Sequence, residues 1–417
     1  MRILYSFLMQ IAAFLLWIAQ YFSKKLKLFV SGRKDVFEIL KNKINPLDKT
    51  VWFHCASLGE FEQATPIIEA IKLNFPEHKI VISFFSPSGY EIKKKTPIAD
   101  AVIYLPLDTP RNAKRLIKAI HPSLVLFVKY EFWPNYLLEL KKNKIPTLLV
   151  SGVFRKKQMF FKWYGGFMRK ALGAFNHFFV QDLGSKNLLE NINHSNITFS
   201  GDTRFDRVSQ QIEIDNALPF MDNFTANSLC IVCGSTWPED ELVLLDSINS
   251  ASEYVKFVIA PHKIDPSKIE SFRKKIIKKS ALYSKDKEQD LNDYSVLFID
   301  TIGLLPKIYS YADIAYVGGA MGSTGLHNIL EPATFGVPIV IGNTFDKFPE
   351  AKKLQRLAGL FSVTSSQECT QIFSKLIQDK SFRNKTGMIT GHFINSNTGA
   401  TDKIMNYIMR LNSDGLV

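Results

Sequence analysis

Val51-Trp52-Phe53-His54-Cys55-Ala56-Ser57-Leu58-Gly59-Glu60 is the stretch on which the fold turns. An apolar run of strand length, residues 51–55, gives way to small residues and a glycine, then to an amphipathic helical pattern at 62–74 and a second apolar run at 79–85. Strand, tight turn, helix and strand in that order imply a parallel crossover. The rhythm continues outward, with strands at 101–104, 124–128, 147–150 and 177–180 and helical patterns at 111–120, 133–142 and 160–172. Residues 207–227 lack a clear apolar period and read as a linker. Beyond them the alternation restarts at 229–233 and runs through 239–250, 255–260, 267–279, 296–299, 304–310, 314–317, 327–335 and 338–341. The expectation is an α/β chain with two Rossmann-like, doubly wound parallel-sheet domains.

A chain of 417 residues, 46% hydrophobic, is long enough for two or three cored domains. That composition excludes wholesale disorder. Four cysteines, at 55, 230, 233 and 369, are too few for a secreted disulfide framework and fit a reducing compartment. Cys230 and Cys233 match C-x-x-C, but inside a strand their side chains fall on opposite faces, against a metal or redox pair. No His/Asp/Glu cluster has metal-ligand spacing, so no metal or cofactor is expected.

The formal net charge is +13, and its distribution matters more than its size. Residues 3–22 carry no charge, about the length that crosses a hydrocarbon core, and Lys24, Lys25, Lys27, Arg33 and Lys34 follow. Through residue 45 there are eight Lys or Arg against two Asp or Glu, a local +6. This predicts an amino-terminal membrane anchor with the body of the chain on the cytoplasmic side. Gln10, Gln20, Trp17 and Tyr21 suit an interfacial helix as well as a spanning one. No basic-aromatic recognition module is present, which argues against nucleic acid.

Ligands of doubly wound sheets bind outside the carboxyl ends of strands, so the residues there are the site candidates. Glu60 follows the first strand at a helix start, where it reads equally as a dipole-complementing cap or as a general base. Glu131 ends the strand at 124–128, just ahead of Trp133-Pro134. In the second half, Pro261-His262-Lys263 ends a strand and offers cationic groups. Gly318-Gly319-Ala320-Met321-Gly322-Ser323-Thr324-Gly325 leads into Asn328 and Glu331, a turn whose amides suit a phosphate and whose acid suits a ribose.

Several of these segments, taken in order, resemble the 3-deoxy-D-manno-octulosonic acid (Kdo) transferases of bacterial lipopolysaccharide synthesis. They are residues 54–60, Pro106-Leu107-Asp108, Glu131-Phe132-Trp133-Pro134-Asn135, Gly201-Asp202-Thr203-Arg204-Phe205-Asp206, Thr301-Ile302-Gly303, and Gly318-Gly319 through His327-Asn328-Ile329-Leu330-Glu331. The resemblance implies the GT-B architecture, two Rossmann-like domains facing a cleft, and transfer of Kdo from CMP-Kdo to a lipid A precursor at the inner membrane. It implies Glu60 as proton acceptor and Glu131 and Arg204 as transition-state stabilisers. Pro261, His262, Ile302, Gly303, Leu304, Asn328, Ile329, Leu330 and Glu331 match segments that hold CMP.

Three positions depart from the family pattern. His262-Lys263 stands where Arg-His is usual, which moves the cationic phosphate contact to Lys263; Leu304 replaces an acid; Arg204 replaces a lysine and changes the shape of the charge. The expected division is an anchor at 1–30, an acceptor domain at 31–210 and a donor domain at 211–417. The rival readings are another GT-B nucleotide-sugar transferase or epimerase, and a membrane-attached sensor without turnover. Oligomeric state and the number of Kdo units transferred are open.

Overall fold

The computed structural model describes residues 1–226, 228–413 and 415. The chain forms two compact units, residues 1–207 with 398–417, and residues 208–397.

Unit 1 is built on seven parallel strands: β1 (Lys49–Cys55), β2 (His78–Phe84), β3 (Ala101–Tyr104), β4 (Pro122–Val128), β5 (Thr147–Gly152), β6 (His177–Val180) and β7 (Ile197–Phe199), in the order β3-β2-β1-β4-β5-β6-β7. Chain order reverses between β1 and β4, the doubly wound arrangement. The strands are almost wholly apolar because helices cover both faces. Trp52 points into one layer, against Phe127 and Tyr136, while Val51 and Phe53 enter the other, with Ile67 and Ile68. Four helices precede or follow β1 directly: α1 (Arg2–Ala19), α2 (Lys24–Ser31), α3 (Val36–Lys43) and α4 (Leu58–Asn74).

Unit 2 repeats the design with β8 (Leu229–Thr236), β9 (Val255–Pro261), β10 (Ser280–Leu282), β11 (Val296–Phe298), β12 (Ile314–Val317), β13 (Ile339–Gly342) and β14 (Leu360–Val363), in the order β10-β11-β9-β8-β12-β13-β14. Here the reversal lies between β8 and β12. Cys230 packs in the layer of Met221 and Ile308, Cys233 in that of Leu244 and Phe373, on opposite faces as strand alternation requires.

The structure changes several readings, and the short edge strands β7, β10 and β14 lie outside the expected runs. Residues 398–417 were expected in the second domain, yet the helix Ala400–Ser413 belongs to unit 1, because Ile404, Met405, Ile408 and Leu411 pack with Ile67 and Phe53. Asp206 fixes its start, accepting the Gly399 and Thr401 amides at 2.6 and 2.7 Å. The linker expected at 207–227 contains the helix Pro219–Thr225, whose Met221 and Phe224 are fully buried. The helical pattern at 160–172 is broken: a 3-10 turn, Met159–Phe161, precedes the helix Gly166–Leu172, and Gly165 between them has no room for a Cβ, which would lie 1.9 Å from the Met159 carbonyl oxygen.

Candidate active site

In unit 1 the site candidates cluster at the reversal. Glu60 follows β1 and Glu131 follows β4, the two adjacent strands between which the order changes. Ser57 caps α4 and Glu60 is its third helical residue; Glu60 Oε2 accepts the Ser57 amide at 2.6 Å and the Ser57 hydroxyl at 2.7 Å. This is a capping box. The cap and base readings are therefore compatible, since Oε2 is committed to the cap while Oε1 makes no hydrogen bond among the described residues. Burial pushes the Glu60 carboxyl above its ordinary value, the Ser57 hydroxyl pulls it back, and the Glu131 charge raises it further.

Glu131 is 12% exposed and accepts the Trp133 indole N–H at 2.7 Å through Oε2. His54, fully buried on β1, brings Nε2 to 3.2 Å from the same oxygen, and its Nδ1 lies 2.9 Å from the Ser83 hydroxyl on β2. A ring and an indole thus fix the direction of Glu131. Both His54 and Trp133 stand in segments noted in the sequence, but neither was assigned a role there. The available signal was the alternation Trp52-x-His54, which puts His54 on the strand face from which β4 delivers Glu131.

Arg204 lies in the segment at 201–206 that follows β7. Its Nη2 lies 2.7 Å and its Nε 2.9 Å from Asp202 Oδ2, a two-nitrogen grip. Burial raises the Asp202 carboxyl, but the Arg204 charge and hydrogen bonds from Arg204 and Gln63 outweigh it, and the group is held below its usual range. Gln63 donates to Asp202 at 3.1 Å, and its carbonyl accepts the Thr203 hydroxyl at 2.6 Å. Gln63 stands one turn beyond Glu60 on α4, so the helix that carries Glu60 also positions Arg204.

Asp108, in the Pro106-Leu107-Asp108 segment, is fully buried, and burial pushes its carboxyl up to about 6. It accepts the Asn135 and Tyr136 amides, both at 3.0 Å, at the start of the helix Pro134–Lys142, and the Tyr5 hydroxyl of α1 at 2.9 Å. A cavity of about 400 Å³ lies between the first turns of α1 and residues 130–134, with Leu4, Leu8, Glu131, Trp133, Met159 and Phe167 in its walls.

In unit 2 the turn after β12 is built by close backbone approach. Gly319 has φ +97°, and a Cβ there would lie 2.1 Å from the Gly325 carbonyl oxygen. Buried Asp240 accepts the Gly319 amide at 2.8 Å, the Trp237 amide at 2.9 Å and the Tyr316 hydroxyl at 2.9 Å. It ties the turn to the start of the helix Pro238–Ser250, which follows β8. Over the turn lies a group of rings. Trp237 stacks on His262 at 4.7 Å, His262 lies 4.3 Å from His327, and the Trp237 indole donates to His327 Nε2 at 3.0 Å. Burial, with His262 beside it, lowers the His327 imidazole to about 4. Lys263 holds Nζ 4.9 Å over the Trp237 ring.

Pro261 ends β9, directly ahead of His262 and Lys263. Asn328 donates to Glu331 Oε1 at 3.1 Å and its Oδ1 accepts the Leu330 amide, so Ile329 and Leu330 sit at the start of a helix shorter than expected, Leu330–Thr334. Ile302 is 93% exposed, Gly303 has φ +99° with nothing within 4 Å of a would-be Cβ, and Leu304 precedes a one-turn helix. The structure gathers His262, Lys263 and His327 around Trp237, and leaves Ile302 and Gly303 facing solvent.

Two doubly wound parallel sheets with strand-end clusters at both reversals define the GT-B class of glycosyltransferase fold. In agreement, the chain superposes on a UDP-GlcNAc 2-epimerase from Neisseria meningitidis with a TM-score of 0.61 and 17% identity, over 87% of this chain and 100% of that one. Residues 31–207 match the family model of 3-deoxy-D-manno-octulosonic-acid transferase (kdotransferase), and the chain carries that domain. The similarity to Kdo transferases runs through both units. A transferase of Chlamydophila psittaci is 27% identical over 73% of this chain and 72% of its own, and one of Aquifex aeolicus is 25% identical over 82% and 92%.

Proposed function

We propose that the protein transfers Kdo from CMP-Kdo to a lipid A precursor, with inversion, at the cytoplasmic side of an inner membrane. The acceptor hydroxyl loses its proton to Glu60 Oε1 as its oxygen bonds to the anomeric carbon, and the bond from that carbon to the CMP phosphate oxygen breaks. Glu131 and Arg204 stabilise the charge that develops. CMP is held by His262, Lys263, the glycine turn and Asn328–Glu331, with Gly303 and Leu304 contributing backbone. No metal or cofactor takes part in this scheme. Acceptor chemistry is assigned to residues 31–210 and donor binding to the following half, up to the helix Ala400–Ser413.

The observation that carries this reading is the pair Glu60 and Glu131 at the ends of adjacent strands, where the order reverses, with burial raising the Glu60 carboxyl above its ordinary value. Incubating the purified full chain with lipid A precursor and CMP-Kdo, and separately with UDP sugars, tests it. A product heavier by one or more Kdo units only in the first reaction is the expected result. Turnover of the UDP sugar alone overturns it.

A further inference from the structure

α1 is long and apolar enough to cross a membrane, yet no residue of it is buried in the protein. How it is held bears on whether it spans. Its half-buried positions, Tyr5, Ser6, Met9, Ala12, Ala13 and Leu16, recur at the spacing of one helical face, and the last turn continues it with Ala19. The opposite face is large, apolar and exposed along the whole helix, from Ile3, Phe7 and Ile11 to Phe14 and Ile18, with Gln10 at its margin. The helix therefore lies along unit 1 with one side inward.

Both ends are tied to the same unit. At the amino end the Tyr5 hydroxyl donates to Asp108 at 2.9 Å, Arg2 Nε donates to Asn135 Oδ1 at 3.0 Å, and Asn135 Nδ2 reaches the Ser6 hydroxyl at 3.3 Å. At the other end, α2 packs Phe29 on Phe85, and Arg33 donates to the carbonyls of Leu105 and Phe85, both at 2.8 Å. An 18-residue helix is about 27 Å long, close to the hydrocarbon thickness. A spanning α1 would have to carry its amino end, and the folded domain bonded to it, through the bilayer.

The surroundings fit a lipid surface. Exposed Lys24, Lys25 and Lys27 follow the helix, and beside its first turns stands the segment at 155–164, with exposed Arg155, Lys156 and Lys157 and with Trp163 91% exposed. Cations at both ends of an uncharged apolar stripe, with aromatic side chains among them, match an anionic headgroup layer over hydrocarbon.

We propose that α1 is an in-plane membrane helix, latched to unit 1 through Tyr5–Asp108 and Arg2/Ser6–Asn135, and that it brings the bilayer surface alongside the cavity walled by Leu4, Leu8 and Glu131. The inference rests on the membrane attachment proposed above and adds its geometry. It makes Asp108 and Asn135 positioning residues for the membrane.

The four native cysteines are buried, so introduced ones report on their own position. One full-length variant carries a cysteine in a short extension ahead of Met1, another Lys24→Cys. Each is treated with a membrane-impermeant maleimide in spheroplasts and in inside-out inner-membrane vesicles. The in-plane helix labels at both positions only in inside-out vesicles; an amino-terminal cysteine that labels in spheroplasts overturns the proposal while leaving membrane attachment intact. Phe14→Lys, on the outer face, lowers binding of the purified chain to phosphatidylethanolamine–phosphatidylglycerol vesicles about tenfold or more. Tyr5→Phe leaves that binding in place and speeds amide exchange over the first two turns of α1 by about tenfold. Unchanged vesicle binding in Phe14→Lys together with concentration-dependent dimers of the wild type assigns the face to a second copy and overturns the proposal. Failure of the wild type to bind vesicles removes the membrane reading itself.

Discussion

The two units use one topology to hold opposite kinds of group. In unit 1, side chains hold side chains: at the reversal Glu60 by Ser57 and Glu131 by His54 and Trp133, and after β7 Arg204 by Asp202, which Gln63 supports. At the reversal of unit 2, one buried carboxylate, Asp240, holds backbone, and what faces outward is a glycine turn under neutral rings. The first arrangement suits moving a proton and steadying charge. The second suits gripping an anion and a flat ring, because amides at a helix start attract negative charge and ring faces offer a flat surface. The comparison predicts that substitutions in unit 1 act on turnover and those in unit 2 on donor binding.

Glu60→Gln separates these most strongly. Glutamine can keep the bond to the Ser57 amide, since Gln serves in a capping box as Glu does. The fold and the KM for the nucleotide donor stay near those of the wild type, while kcat falls by about 10²–10⁴-fold, because an amide accepts no proton. Steady-state kinetics with calorimetry on the same sample checks this. A near-normal kcat removes Glu60 from the base role and leaves it a cap.

The next largest effect belongs to unit 2. Gly319→Ala places a Cβ against the Gly325 carbonyl at a φ of +97°, so the turn must open. A cost of about 3 kcal/mol is expected, seen as early melting of residues 208–397 with the helices of unit 1 unaffected, and as a raised donor KM. Hydrogen exchange resolves the two units. Equal loss of protection in both would break the comparison.

One buried group in each unit responds to pH with opposite sign. Asp108, raised by burial from an ordinary 3.8 to about 6, favours folding of unit 1 fully below pH 4, and that contribution is lost as pH rises through 6, on the order of 3 kcal/mol. His327, lowered by burial and by His262 from 6.5 to about 4, acts the other way: its contribution is present above 6.5 and lost as pH falls through 4. Asp108→Asn should flatten the stability of unit 1 between pH 4 and 6, and His327→Gln that of unit 2 between 4 and 6.5. Denaturant titrations across that range, read by exchange in each unit, show the slopes. A same-sign change in both variants would mean that other groups govern the pH response.

Much of this arrangement was legible in the sequence because it rests on local rules. Apolar runs of strand length alternating with helical periods gave six of the seven strands of the first sheet and five of the seven of the second, missing the short edge strands β7, β10 and β14, and small residues after residue 55 placed Glu60 at a helix start. What escaped depends on contacts far apart in the chain. The return of Ala400–Ser413 to unit 1 is set by Asp206 and by a cluster that includes Phe53, and no local period announces it. The same holds for His54 with Glu131 and for Tyr5 with Asp108, pairs separated by 77 and 103 residues. The expected helix at 327–335 shortened to five residues because the Asn328 side chain took over its first amide.

Trp237 tests the comparison at its finest. Its indole N–H donates to His327 Nε2, and its ring stacks on His262 beneath Lys263. Trp237→Phe keeps a ring at the stack and removes the donor, leaving the half-buried His327 nitrogen without that partner. The expected cost is about 1 kcal/mol of unit 2 stability, with the donor KM raised by a few-fold and kcat held. His327, no longer holding a lone pair against an N–H, should titrate closer to its ordinary value, which NMR of the imidazole carbons follows directly. If kcat falls instead while the donor KM holds, the ring stack takes part in turnover, and the division of labour between the two reversals does not stand.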